Sequence, residues 1–375
     1  MADEGNKAPL IVLAAGGTGG HMFPAQALAE TMLKRGWRVA LASDERGLRY
    51  AGGFPATVTR IETASASPSR GGLMAKLRLP FTIWRGMSTA RAAFAADRPM
   101  AVAGFGGYPA LPSLLAAISM RIPSLIHEQN AVLGRVNKLL AGQVGQVCCG
   151  TWPVVNAPKG VALTHVGNPV RAAVAKARGR VFAPPAGGRL KLTIFGGSQG
   201  AGIFGRVVPE AVAALPKDLR DRLSVTQQVR AEDGDTVAAA YQKAGVTADL
   251  APFFDDMPAR LAKAHLVIAR AGASTVAELT AIGRPAILVP YRHATDDHQT
   301  ANARALAEAG GAHVLAETDF TAEALTPRLA ALMGDGGQHD LAAMAAAARD
   351  LGRPDAAEAL ADIVTALASG RAVAK

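Results

Sequence analysis

A short unit recurs along this chain: an apolar run of strand length, a glycine-rich turn, then a stretch with helical spacing. Leu10 to Ala15 runs into Gly16-Gly17-Thr18-Gly19-Gly20-His21, and Pro24 to Arg35 follows with helical periodicity and Gly36 as its stop. Arg38 to Ser43 is the next strand, and further apolar runs stand at Ala101 to Ala103, Ser124 to His127 and Gln143 to Cys149. Strands separated by helix-length segments pair in parallel through crossover helices. The spacing therefore predicts an α/β fold on an open, doubly wound parallel sheet.

The series then restarts. Gly167-Asn168-Pro169 closes the first part, a Pro- and Gly-rich loop fills 183–188, and Lys191 to Phe195 leads into Gly196-Gly197-Ser198-Gln199-Gly200. It continues at Ser224 to Val229, His265 to Ala269 and Ala286 to Val289. A chain of 375 residues exceeds what one growing core serves. Two Rossmann-like domains are expected, over 8–168 and 169–352. The alanine-rich tail from Leu341 to Leu367 reads as two helices broken near Gly352-Arg353-Pro354, the last of them, near 354–370, expected to pack back on the first domain.

Composition narrows the class. Half the residues are hydrophobic and 19% are charged, which suits large globular cores. Cys148 and Cys149 are adjacent at the end of an apolar run, so they read as buried, reduced thiols in a reducing compartment. The first nine residues are polar and acidic rather than laid out as a secretion signal. No apolar stretch approaches the ~18 residues of a membrane span, so a soluble or peripheral protein is expected. The net charge of +10 is uneven: residues 1–169 hold 17 Lys and Arg against 8 Asp and Glu, and the remainder 23 against 22. An anionic partner for the first half follows, whether phosphorylated substrate, acidic lipid or nucleic acid, although such asymmetry also serves plain solubility.

Four strand-to-helix turns are rich in small residues: 16–21, 104–108, 196–200 and 270–275. Glycine allows backbone N–H groups close to a ligand, and the helix that follows offers its positive end to phosphate. Any one such turn is more often structural; four at corresponding positions point to a nucleotide or phosphate ligand at the carboxyl ends of the strands. Met22 stands where a dinucleotide fingerprint needs glycine, and no phosphate-loop lysine motif occurs. Nor is there a Cys/His cluster at zinc spacing or a clear paired-carboxylate metal site, so no metal and no cofactor are expected. His21, directly after the first glycine turn, is a candidate base or phosphate contact. His127-Glu128-Gln129-Asn130 is a polar cluster ending an apolar strand, costly to bury unless it serves a site. Ser274 or Thr275 is a candidate cap for the helix entered from Arg270, and Glu278 lies about one turn in; it either complements the helix dipole or grips two ribose hydroxyls.

These residues, taken in order, resemble the MurG family of glycosyltransferases, which add N-acetylglucosamine to the lipid-linked muramyl-pentapeptide precursor of peptidoglycan. The resemblance spans 10–309 and rests on Gly16 to His21, Gly106-Gly107-Tyr108, His127 to Asn130, Val166 to Arg171, Gly196 to Ala201, Arg270 to Glu278, and Asp297 to Asn302. It implies a GT-B fold, two Rossmann-like doubly wound domains facing across a cleft, with the nucleotide sugar held mainly by the second. By motif match, Ser198 and Gln299 contact the diphosphate or sugar and Glu278 the ribose, while Phe254 and the backbone at Ala273, Ser274, Thr275 and Val276 line the uracil and phosphates. Thr18, Gly19, Gly20, Asn130 and Arg171 complete the donor site, and His21, Tyr108, Glu128 and Asn137 lie near the acceptor. Gly202 and Gly205 depart from the family, which usually carries Arg and Asn after the third glycine turn.

The implied reaction is direct displacement by the acceptor's 4-hydroxyl on UDP-N-acetylglucosamine, inverting α to β and giving a lipid-linked disaccharide for peptidoglycan synthesis. It needs a base, His21 or Glu128, and positive charge for the departing diphosphate, from helix N-termini and Arg270 or Arg171. Arg70 to Arg85 interleaves basic residues with Leu73, Leu77, Leu79, Phe81, Ile83 and Trp84. That pattern fits an anionic bilayer surface as well as it fits an ordinary amphipathic helix. The family resemblance and the basic first half favour the membrane, at the cytoplasmic face of the bacterial inner membrane. Two alternatives remain at this level. A UDP-N-acetylglucosamine 2-epimerase has the same fold but no acceptor. A nucleic-acid binder would explain the charge, but aromatics are only 5% of the chain and no known binding module is present, so no nucleic-acid partner is expected.

Overall fold

The computed structural model describes residues 7–49, 51–66, 73–185, 188–197 and 200–371, with side chains from 77 onward in the helix that begins at Leu73. The chain forms two compact units, Met1–Arg171 with Pro354–Lys375, and Ala172–Arg353.

The first unit alternates strand and helix: β1 Leu10–Ala14, α1 Gly19–Lys34, β2 Arg38–Ser43, α2 Glu45–Arg49, β3 Thr59–Glu62, α3 Leu73–Ala96, β4 Ala101–Gly104, α4 Leu111–Ser119, β5 Ser124–Glu128, α5 Arg135–Leu140, β6 Gln146–Cys149 and β7 Leu163–His165. Its strands form one parallel sheet in the order β3-β2-β1-β4-β5-β6-β7. β1 is wholly buried and pairs on both sides, Ile11 with Val39 and with Ala101. A strand covered on both faces must be continuously apolar, as Leu-Ile-Val-Leu-Ala is. The Cys148 and Cys149 thiols are free and buried at the end of β6, and burial pushes Cys149 up to about 12.

The second unit runs α6 Ala172–Ala177, β8 Leu190–Phe195, α7 Gly202–Ala213, α8 Lys217–Arg222, β9 Leu223–Gln228, α9 Gly234–Ala244, β10 Thr247–Ala251, α10 Met257–Leu261, β11 Leu266–Ala269, α11 Ala273–Ile282, β12 Ala286–Leu288, α12 His298–Glu308, β13 Ala312–Val314, α13 Ala322–Met333 and α14 Gln338–Leu351. Its parallel sheet has the order β10-β9-β8-β11-β12-β13. The C-terminal helix Ala356–Ala368 belongs to the first unit: Leu360, Ala361, Ile363 and Val364 join a core with Leu28 and Met32 of α1, and Arg35 pairs with Glu358 and Asp362 at 2.5 and 2.7 Å.

In each sheet the strand order reverses beside the first strand of the unit. The glycine turns at 16–21 and 104–108 follow β1 and β4, and those at 196–200 and 270–275 follow β8 and β11. All four lie at the two switch points, where ligands bind in sheets of this kind.

One boundary differs from the sequence reading. α1 starts at Gly19 and not near Pro24, because Met22 N–H already donates to Thr18 O at 3.2 Å. The glycine run therefore supplies the helix's own first turn, and His21 is its third residue.

Candidate active site

In the first unit the two glycine turns and the end of β5 converge on His21. Gly17 and Gly106 take φ of +94° and +83°, a left-handed conformation that only glycine adopts without strain. A Cβ on Gly106 would stand 3.1 Å from Asn137 Nδ2 and 3.5 Å from His21 Cε1, and one on Gly107 would stand 3.5 Å from His21 Cδ2. The missing side chains keep both flanks of the imidazole clear. His21 is half-buried, and its Nδ1 is 2.9 Å from Gln129 Oε1. Thr18 caps α1 without a side-chain hydrogen bond, so the first-turn amides at Gly19 and Gly20 have no side-chain cap.

In the polar cluster ending β5, His127, Glu128 and Gln129 are each at most 2% exposed and Asn130 is half-buried, while Asn137 of α5, 2% exposed, packs beside them. Glu128 is surrounded by donors. Its Oε1 accepts from Asn130 N–H at 3.0 Å and Asn130 Nδ2 at 3.1 Å; its Oε2 accepts from Gly134 N–H and Asn137 Nδ2, both at 2.8 Å. Four donors fill the lone-pair directions of a carboxylate, so Glu128 is arranged to hold the loop from Asn130 to Asn137. His127 lies against Phe105, and burial pushes its pKa down to about 4, overriding the hydrogen bond to Gly167 O. Arg171 lies over the Phe23 ring at 4.4 Å, and Tyr108 opens the short turn after Gly107.

In the second unit α11 begins after Gly272 without a side-chain cap, so the amides at Ala273 to Thr275 form an uncapped helix end suited to an anion. Ser274 Oγ is buried there without a hydrogen-bond partner, and Thr275 and Glu278 are buried on the same helix. Gln299 fixes this turn: its Oε1 accepts from Ala271 N–H at 3.2 Å and Tyr291 N–H at 3.0 Å, leaving its amide N–H groups as the donors on offer. Asn302 adds a bond to Ala271 O at 3.1 Å.

Arg270, which the sequence offers with Arg171 as a source of charge for a diphosphate, is 8% exposed, donates to Val289 O and Pro290 O, and pairs with Glu317 at 2.9 Å, which itself accepts from Arg292 N–H. Its guanidinium braces the loop after β12. Phe254 is buried with Arg260 4.1 Å above its ring. Ser198 lies outside the described residues.

Three contributors escaped the sequence reading. Glu317 lies 47 residues from Arg270 in a short turn that carries no motif. Gln228 holds the third glycine turn by accepting from Gly196 N–H at 3.1 Å. Beside Gly202, where the sequence departs from the family motif, stand Arg230 and Asp233: a Cβ at 202 would be 3.4 Å from Arg230 Nη1 and 3.7 Å from Asp233 Oδ2. Only contacts between segments far apart in the chain reveal these three.

Two doubly wound parallel-sheet units in one chain, each with polar side chains gathered on glycine turns at its switch point, are the architecture of the GT-B glycosyltransferases. The N-terminal and C-terminal domain models of glycosyltransferase family 28 match 11–148 and 191–360, and the chain belongs to that family, in its MurG branch. It is 50% identical, over 97% of its length and 96% of the relative's, to the UDP-N-acetylglucosamine–N-acetylmuramyl-(pentapeptide) pyrophosphoryl-undecaprenol N-acetylglucosamine transferase of Chelativorans sp.. The identically named protein of Rhodospirillum centenum is 52% identical over 94% of this chain and 93% of its own. Among solved structures, Acinetobacter baumannii MurG superposes with a TM-score of 0.77 at 31% identity, covering 95% of this chain and 99% of that one.

Proposed function

We propose that the chain transfers N-acetylglucosamine from UDP-N-acetylglucosamine to the 4-hydroxyl of the muramyl sugar in undecaprenyl-diphosphate-linked muramyl-pentapeptide, with inversion at the anomeric carbon. The observation that carries this reading is the near full-length, half-identical match to transferases bearing that name. The two polar clusters at the switch points agree with it chemically.

The second unit is read as the donor side. The uncapped start of α11 suits the diphosphate, Glu278 the vicinal ribose hydroxyls, and the Gln299 amide donors the sugar or a phosphate oxygen. Fixed N–H dipoles aimed at the departing diphosphate stabilise the charge that develops there. The first unit is read as the acceptor side, with His21 as general base. Glu128, its oxygens already occupied by four donors, fits a positioning role better than proton transfer.

The acceptor's lipid calls for contact with a bilayer, and α3 supplies a surface for it. Leu77, Phe81 and Trp84, spaced to share one helix face, are 60–67% exposed, the Phe81 and Trp84 rings stack at 6.1 Å, and Arg78 and Arg85 are exposed beside them. Apolar side chains flanked by cations suit peripheral binding to an anionic leaflet, here taken as the cytoplasmic face of the inner membrane. No helix among the described residues is long and apolar enough to cross a membrane.

The test is transfer of labelled N-acetylglucosamine from UDP to the undecaprenyl-linked muramyl-pentapeptide. Labelled lipid disaccharide is the expected product. Formation of UDP-N-acetylmannosamine from the nucleotide sugar alone, without transfer, would establish the epimerase reading instead.

A further inference from the structure

His21 is joined to the backbone at Gly167 by hydrogen bonds in single file. Its Nδ1 meets Gln129 Oε1 at 2.9 Å; Gln129 Nε2 meets His127 Nδ1 at 3.1 Å; and His127 Nε2 meets Gly167 O at 2.9 Å. Hydrogen positions along such a file are settled by groups that can act in only one sense. Two backbone carbonyls do this. Gly167 O only accepts, so a neutral His127 carries its proton on Nε2 and presents a bare Nδ1; burial keeps that ring neutral. His127 O also only accepts, and it takes a bond from Gln129 Nε2 at 2.8 Å. The Gln129 nitrogen therefore faces His127 and its oxygen faces His21. An amide oxygen demands a donor, so His21 carries its proton on Nδ1. Its Nε2, between the two ring carbons that Gly106 and Gly107 leave uncrowded, has no protein partner among the described residues.

We propose that Gln129 and His127 are positioning residues that lock His21 as the Nδ1–H tautomer, so that Nε2 is held as the lone pair that receives the acceptor's proton. The proposal rests on His21 being the base. As the acceptor oxygen bonds to the anomeric carbon, the bond from that carbon to the diphosphate breaks and UDP leaves with its electron pair. The hydroxyl proton passes to His21 Nε2, and Gln129 Oε1 accepts from the resulting imidazolium. Gln129 and His127 are 1% and 0% exposed, so they act through His21, and every bond in the file constrains the next.

Nitrogen-15 shifts of the histidine-labelled full chain read the tautomer directly, above the pH at which His21 protonates. The expected result is a protonated Nδ1 and a bare Nε2 at His21, with Gln129→Leu releasing it towards the Nε2–H form that free histidine prefers. In the same variant kcat falls by about tenfold or more while the KM for UDP-N-acetylglucosamine changes little, as for a base held in the wrong tautomer. The acid limb of the pH profile discriminates further. Gln129→Leu removes the acceptor from the imidazolium and moves the limb to lower pH; Gln129→Glu puts a carboxylate there and moves it to higher pH. A His21 protonated on Nε2 in the unmodified protein, an unchanged tautomer in Gln129→Leu, or limbs that move the same way in both variants would overturn the proposal. Full turnover in His21→Ala would instead remove the base reading and with it the catalytic consequence, while the nitrogen shifts would still report the tautomer.

Discussion

At His127 burial and hydrogen bonding act in opposite directions, and burial wins. The ring is fully buried, so its pKa falls from 6.5 to about 4 despite the bond to Gly167 O. In the unfolded chain it takes up a proton near 6.5 and in the native chain only near 4. Between those values the unfolded state binds more protons, so stability falls as the pH is lowered through that window, by on the order of 3 kcal/mol. Melting temperatures at pH 7 and pH 4.5 check this: the drop should be smaller in His127→Asn, whose side chain does not titrate, whatever its starting stability. At this scale the sequence was partly legible. A run of four polar residues ending an apolar strand pointed to a site, since burying it unpaired is costly. It did not reveal that Gln129 faces His21, because a contact between residues 108 apart has no local signal.

Among the elements, the strands announced by the sequence were the interior strands of the two sheets. β1, β2, β4, β5, β6, β8, β11 and β12 each showed as an apolar run, give or take three residues, and β9, mostly polar, showed only by its place in the repeating series. β3, β7, β10 and β13, which it did not announce, are the four outer strands of the two sheets. An edge strand has a solvent side and needs no continuous apolar run: β3 and β10 are buried at none of their residues. A different signal was missed at the ends of α10 and α11. Arg284 is 1% exposed, and its partners among the described residues are carbonyl oxygens, of Leu261, Ala262, Ile282, Gly283 and Arg180. Two helix C-termini converge on it, and their partial negative charge stands in for a carboxylate. Burial still lowers its pKa to about 10. Arg284→Met should destabilise the second unit by about 3 kcal/mol, because it leaves several buried carbonyls without donors; thermal denaturation followed by circular dichroism reads the loss. For α3, replacing Leu77, Phe81 and Trp84 with serine should abolish co-sedimentation with anionic vesicles, while transfer to a detergent-dispersed acceptor stays within about threefold, since the proposed membrane surface assigns these side chains to the bilayer and not to the chemistry. Unchanged sedimentation would refute the membrane surface.

For the whole molecule, two repeated units were legible because each restarts the same strand-turn-helix pattern after a proline- and glycine-rich break. The final helix, Ala356–Ala368, ties residues at both ends of the chain into one core through Leu360, Ile363 and Val364. Truncation after Arg353 should lower the stability of the first unit and spare the second. All three tryptophans, Trp37, Trp84 and Trp152, lie in the first unit, so their fluorescence reports its unfolding alone, while circular dichroism reports both. Coincident, unshifted transitions in the truncated chain would contradict this.

The same return of the chain sets an order of events during synthesis. The second unit is one continuous stretch, 172–353, and can close as soon as it leaves the ribosome. The first unit cannot: the apolar face of α1 that receives the last helix has to wait while the whole of the second is translated, roughly 10 to 40 seconds at bacterial elongation rates. The half of the protein made first is completed last. During that interval Leu28 and Met32 lack the partners that cover them in the finished fold.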